Sequence, residues 1–379
     1  MSHQVPTKYV QKERVRTGYE RTLAHMVNRD YAGVAEKDGE VSAVYEKDKI
    51  IEVTYDDGTR DCFEYGQKYG EISGFCVTHD LVPVVSIGQK VHKGDLIMYN
   101  KGFFTYDKYN KQADFSTGIL GNVAMVEVST TNKDSSEISA RLSEKMTMFP
   151  TNMRVIMLPK NAHIYQYKTI GESVLNTDPL VVFEEEDMSG STKIITEDTE
   201  ALAALSKLNR HTPEAKFNGT IVKIDAFYGC PINKMHPTLA KIVKDAVSSI
   251  NRKNKIAKGT EAEYEYPESG LMPEGSKYKG ITFDENTICL IYYIRESIPQ
   301  GRGDKLVLCN QMKNTVAGIF PKPVYTESGT EIDMFFSANC AAKRIVLSPL
   351  MHGIIARCVE KIEQDAVAIY NSKDSTEKK

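Results

Sequence analysis

Between residues 41 and 66 the chain reads VSAVYEKDKIIEVTYDDGTRDCFEYG, short β-branched and aromatic runs cut by Asp56-Asp57-Gly58. An Asp-Gly step suits a tight reversal, because glycine accepts the positive φ that other residues resist. The runs are too short for stable helices and rich in residues that fit a pleated, half-buried surface. The pattern recurs at 81–104, where LVPVVSIGQKVHKGDLIMYNKGFF gives two β-rich runs around two turns containing Gly and Lys. Pro83 marks an edge position or a strand end, since proline cannot donate to a ladder. A mostly β fold with added α elements is therefore expected, with the first 150 residues built of short strands.

Further along, SSEISARLSEK (135–145) has the alternating charge of a short helix, and MRVIMLP (153–159) reads as an apolar strand ended by Pro159. A second helix is expected around ALAALSKLNR (201–210). FNGTIVKIDAFYG (217–229) reads as a pair of strands opening an inserted module. Leu239, Ile242, Val243, Val247 and Ile250 then fall at near-helical spacing on a helix with a basic surface. That surface is either a solvated face or one that docks a partner or nucleic acid. TICLIYYI (287–294) is a β-rich run, and EIDMFF, SANCAAKR and IVLSPL are read as completing a second mostly β region. The helix candidate MHGIIARCVEKIEQDAVAIY and a polar tail follow.

At 379 residues the chain is long enough for more than one core, and its 41% apolar and 26% charged residues are those of an ordinary soluble protein. No run of about 18 apolar residues occurs, so no membrane span is expected. MSHQVPTKYVQKERVR lacks the apolar core of a secretory signal. Seven cysteines lie far apart with no CxxC pair, which points to free thiols in a reducing compartment, with several buried in apolar strings. A formal net charge of -3 argues against a generally cationic nucleic-acid-binding surface but allows a locally basic cleft.

The chain contains no GxGxxG, P-loop, HExxH or GxSxG pattern. The acidic run Glu184, Glu185, Glu186, Asp187 lies in a polar stretch and reads as a solvated face, and no closely spaced Asp triad suits two-metal catalysis. Lys305 and Lys313 stand among apolar residues (LVLCNQM), where burying an unpaired ammonium would be costly. Either they meet carboxylates or lie in exposed turns, or they face an anion supplied from outside. Lys343-Arg344, set between Ala-Ala and Ile-Val-Leu, poses the same question, and arginine's planar fork suits phosphate oxygens.

From Gly303-Asp304-Lys305 and Lys313 outward, the sequence resembles the C-terminal half of the beta subunit of bacterial-type multisubunit DNA-directed RNA polymerases. RTGYER (16–21) resembles the segment that opens this half, and SIGQKVHKGDLI (86–97) its barrel-sandwich motif. NMRVIMLPKN (152–161) is similar to the strand before the family's active-centre acidic pair. FNGTIVKID (217–225) resembles the start of the flap, and IYYIRESIPQGRGDK (291–305) its return to the catalytic barrel. SGTEIDMFF (328–336) and AAKRIVLSPL (341–350) continue in the same order.

The resemblance implies a double-psi beta-barrel, a barrel-sandwich hybrid region and an inserted flap. The expected division is 1–150 for the barrel-sandwich hybrid region, 151–215 for the first barrel segment and linker, and 216–290 for the flap-like insertion. The second barrel segment then takes 291–350, and 351–379 holds the C-terminal helix and polar tail. Lys305 and Lys313 keep the separation of the family lysines that hold the RNA 3′ region, and Arg344 falls where an arginine approaches the nucleotide triphosphate. The activity implied is template-dependent nucleotidyl transfer within a multisubunit complex. Mg2+ would be held mainly by a partner beta-prime-type subunit, with no metal bound by this chain alone.

Three departures accompany the resemblance. The acidic pair expected after MRVIMLP is replaced by Gln166 and Tyr167, with Lys160 and Lys168 nearby as substitute charges or merely solvated ones. The Gly-rich, Arg-His-containing stretch between the two lysines is replaced by LVLCNQM, and Asn314 takes a usual glycine position. The family landmarks also begin and end within a longer subunit, so an N-terminal beta fragment and beta-prime-type fragments are expected as separate partners. A promoter-specificity subunit, DNA template, RNA and NTPs complete the expected partners. Such fragmentation is similar to the split polymerases of giant bacteriophages, which implies the host cytoplasm or a phage virion as location. The alternative is a non-catalytic, polymerase-like scaffold or regulator that binds a host RNA polymerase.

Overall fold

The structure, a computed structural model, describes residues 5–72, 75–116, 118–185, 210–260, 270–309, 312–343 and 347–372. It is mostly β, 39% strand against 20% helix, with curled half-barrel sheets. The helix expected at 201–210 lies outside the described residues except for its last position.

The apolar run TICLIYYIR forms the strand Thr287–Arg295 at the heart of an eight-stranded sheet. It lies between Thr151–Pro159 and Gly219–Tyr228, antiparallel to both. Its side chains alternate between two cores. Ile288, Leu290, Tyr292 and Ile294 enter one apolar cluster, and Cys289, Ile291 and Tyr293 enter another with Phe283. A strand covered on both faces has no polar side, which is why its sequence is unbroken by charge. The sheet continues beyond Thr151 through Phe75–Pro83 and Leu96–Asn100 to Ala32–Val34. Pro83 ends its strand, as its missing N–H requires.

FNGTIVKIDAFYG is one continuous strand, Gly219–Tyr228, and not a strand pair. No turn residue interrupts it, and its partner Thr287–Arg295 lies on the far side of the intervening segment. That segment contains the helix Pro237–Ala257, capped by His236, whose Leu239, Ile242, Val243 and Val247 cover the first cluster. The helix's basic side is partly committed within the chain. Arg252 Nε donates to Asp48 Oδ1 at 2.8 Å, Lys253 pairs with Glu64, and Ile256 packs on Ile50 and Cys62.

Those carboxylates border a four-stranded antiparallel sheet, ordered Arg60–Glu64, Ile50–Tyr55, Gly39–Tyr45, Lys90–Val91. Its Asp-Gly turn forms as expected: Gly58 has φ 82°, and its N–H reaches the Tyr55 carbonyl at 2.9 Å. Val41, Ile51, Val53 and Phe63 pack there with Leu81, Ile97 and Met98 of the neighbouring sheet.

A third, five-stranded sheet mixes directions. Val123–Met125 runs parallel to Met334–Phe336, which is antiparallel to Ser135–Ser139; that strand is parallel to Met312–Phe320, which is antiparallel to Lys305–Leu308. The expected helix at 135–145 is therefore half strand. Ser139 ends the strand and caps the helix Ala140–Lys145, its Oγ accepting from Leu142 N–H at 3.0 Å. SANCAAKR is also not β: Ala338–Ala342 is helical, capped by Ser337. Small residues and a serine cap favour a helical turn over a strand.

The final helix, Ser348–Asn371, buries only Pro349. Arg14 holds it from outside through Glu360 (3.5 Å) and Glu363 (3.1 Å), while Met351, Ile354, Ile355 and Ile362 stay exposed. Among the described residues no helix is long and apolar enough to cross a membrane.

Candidate functional site

The turn before Lys305 is set by backbone geometry. Gly303 takes φ 89°, where a side chain would be strained, and its N–H reaches the Val316 carbonyl at 2.8 Å. Asp304 Oδ2 accepts the Gly301 N–H at 2.8 Å and closes the turn. The chain then pairs Lys305 with Thr315, Leu306 with Asn314, Val307 with Lys313 and Leu308 with Met312.

Alternation fixes what each side chain does. Leu306, Leu308, Met312 and Val316 face the third apolar cluster, while Lys305, Val307 and Lys313 are exposed. Directly opposed residues share a face, so the two lysines are diagonal neighbours, roughly 7–8 Å apart or less at Cβ. Among the described residues neither makes an ion pair or a side-chain hydrogen bond. Like charges on neighbouring side chains repel, and an anion held between them relieves that repulsion. Exposure, not burial, resolves their apolar sequence setting.

Asn314 points inward and is 4% exposed. Its Oδ1 accepts from Ser136 Oγ at 2.6 Å, and its Nδ2 donates to the Met312 carbonyl at 3.0 Å. Asn314 is thus a strand-to-strand tie.

Lys133 lies just before a strand of the same sheet, a placement the sequence did not suggest. Parallel pairing sets Ser135 beside Thr315, and exposed Lys133 precedes that strand with φ 55°. The Cys340 thiol donates to the Lys133 carbonyl, bringing the helix that ends at Lys343 against the same corner. No local signal could reveal this, because the pairing joins segments far apart in sequence. Lys343 caps its helix near Glu127, whose carboxyl is held below its ordinary value by Ser337 first and by Lys343 least. Arg344 lies outside the described residues.

Gln166 and Tyr167 lie elsewhere, on a two-stranded ribbon of Ala162–Tyr167 with Val181–Glu185. Gln166 is exposed opposite Val182, and Tyr167 packs on the first apolar cluster. The ribbon and the lysine hairpin belong to different sheets and different clusters. Lys168 is no spare charge there, since Glu172 takes its Nζ at 3.1 Å. The same ribbon carries stacked rings: His163 lies 4.6 Å from Tyr165 and 4.7 Å from His236, and the Arg210 guanidinium lies 4.1 Å from Tyr165. Among the described residues no group of three His, Cys, Asp or Glu side chains could hold a metal. Gln166 and Tyr167 offer an amide and a phenol where Mg2+ prefers carboxylates.

No protein-family model matches this chain, and no curated protein matches it in sequence.

Proposed function

We propose that this chain is a beta-type component of a multisubunit DNA-directed RNA polymerase. What carries the reading is the lysine pair: Lys305 and Lys313 project side by side from one hairpin, without carboxylate partners among the described residues. The collinear landmarks from RTGYER to AAKRIVLSPL support it independently. In this reading the mixed five-stranded sheet contributes to a double-psi barrel, and the four-stranded hairpin sheet to a barrel-sandwich hybrid. The segment between Gly219–Tyr228 and Thr287–Arg295 is the flap.

The chain's contribution is positive charge and positioning. Lys305 and Lys313 hold the phosphates of the RNA 3′ region, and Arg344 meets the triphosphate. The 3′-OH attacks the α-phosphorus, pyrophosphate leaves, and cations fixed before the reaction stabilise the charge that builds on the phosphoryl oxygens. A partner beta-prime-type chain would hold Mg2+, which would supply hydroxyl activation and charge neutralisation there; no residue of this chain is assigned to it. Other partners are a promoter-specificity subunit and the DNA template. The setting is a phage-infected cell or a virion. A tag on this chain followed by mass spectrometry of the native complex tests the proposal. An Asp-triad-bearing partner is the expected result. Host polymerase subunits alone would instead assign a regulator, and no polymerase-like partner would overturn both readings.

A further inference from the structure

Asp114 is fully buried at the edge of the ribbon formed by Phe104–Asp107 and Gln112–Phe115, and three cations converge on it. Lys12 pairs with Oδ2, Arg16 Nη1 reaches Oδ2 at 3.0 Å, and Arg21 Nε reaches Oδ1 at 3.1 Å. The loop between the arginines has a fixed shape. Gly18 sits at φ 90°, and Glu20 accepts the backbone N–H groups of Thr17 (3.2 Å) and Gly18 (2.8 Å). Nearby Asp107 is 3.9 Å from Lys12 but is occupied by its own turn, accepting from Tyr109 N–H at 3.0 Å and from Asn110 Nδ2 at 2.8 Å.

One carboxylate therefore anchors three positive charges, leaving a surplus. A guanidinium carries about five N–H donors, and each arginine spends one here on Asp114. The two arginine side chains are 33% and 43% exposed, so part of each stays open to solvent. A buried anion that needed only compensation would be served by one arginine; among the described residues the other cations are gathered and oriented without a protein partner for most of their donors. Forks of this kind match the oxygens of a phosphate group two at a time.

We propose that Arg16, Arg21 and Lys12, oriented by Asp114, form a phosphate-binding site, taking a backbone phosphate of a nucleic acid or a free polyphosphate. The site lies on a different ribbon and apolar cluster from the lysine hairpin and does not depend on the polymerase reading. The test measures thermal unfolding of the purified full chain by circular dichroism with sodium tripolyphosphate, against sodium chloride of equal ionic strength. Tripolyphosphate should raise Tm of the native protein, and Arg16→Gln/Arg21→Gln should lose most of that rise. Should that variant not fold, Arg16→Lys/Arg21→Lys keeps the charges but loses the forks, and should need at least about tenfold more tripolyphosphate for the same shift. An equal response in native protein and arginine variants, or none beyond sodium chloride, overturns the site. Competition by a single-stranded oligonucleotide assigns a backbone phosphate, and its absence assigns a free polyphosphate.

Discussion

Tyr292 sits at the centre of the most buried strand, its side chain fully enclosed, and its hydroxyl has no hydrogen-bond partner among the described residues. An unsatisfied buried hydroxyl costs about 1–3 kcal/mol. Tyr292→Phe removes that cost and leaves a void of roughly 10–15 Å3, worth about 0.3 kcal/mol at about 24 cal/mol per Å3. The variant should therefore be stabilised by about 1–2 kcal/mol. With an unfolding entropy of about 2.1 cal/mol/K per residue, 379 residues give about 0.8 kcal/mol/K, so Tm should rise by about 2 °C. Burial, with smaller contributions from Tyr167 and Glu172, pushes the phenol's pKa above its ordinary 10.0. The folded state thus keeps a proton that the unfolded state loses above that pH. Stability from this group is complete below pH 10.0 and is lost as pH rises through the raised value, and Tyr292→Phe abolishes that alkaline loss. Calorimetry at pH 7 and across the alkaline range measures both effects. A Tm lowered by more than about 1 °C at pH 7 would show that the hydroxyl is satisfied and refute the reasoning.

Other expectations follow from single contacts. Asp61 is fully buried and accepts from Arg29 Nη1 at 2.9 Å and Nη2 at 2.7 Å, so Asp61→Asn should cost about 3 kcal/mol in urea unfolding. A loss below about 1 kcal/mol would deny the pair that role. Iodoacetamide at pH 8 should label Cys309 and Cys358 and spare Cys62, Cys230, Cys289 and Cys340, as peptide mapping would show. Burial pushes the Cys62 and Cys289 thiols to about 11, which adds to their protection. Ile362 is 66% exposed, so Ile362→Glu should change the stability of the isolated chain by less than about 0.5 kcal/mol. A larger loss in urea unfolding would place that residue in a core.

The sequence disclosed what local pattern controls. Alternation and turn chemistry marked the hairpin sheet around Gly58, the apolar run at 287–294 marked the doubly covered strand, and 3.6-residue spacing marked the helix over Leu239 and Val247. It failed where distant pairing overrides local preference. Ser135–Ser139 has the composition of a helix start but is held extended by Met312–Phe320 and Met334–Phe336. Lys305 and Lys313 stood out by their apolar sequence setting, yet only the register shows that they share a face. Asn314 was read only as standing at a usual glycine position and is a buried tie to Ser136. Lys133 and the cations around Asp114 were invisible, because each joins the group through a partner far along the chain.

The proposed role of the lysine pair is tested most directly by RNA elongation from a defined template with this chain co-expressed with the polymerase subunits proposed as its partners. The assembled enzyme should extend RNA, the isolated chain should not, and Lys305→Ala/Lys313→Ala should assemble normally while elongating far more slowly. Robust synthesis by the isolated chain, or normal elongation by the double variant, would contradict the account.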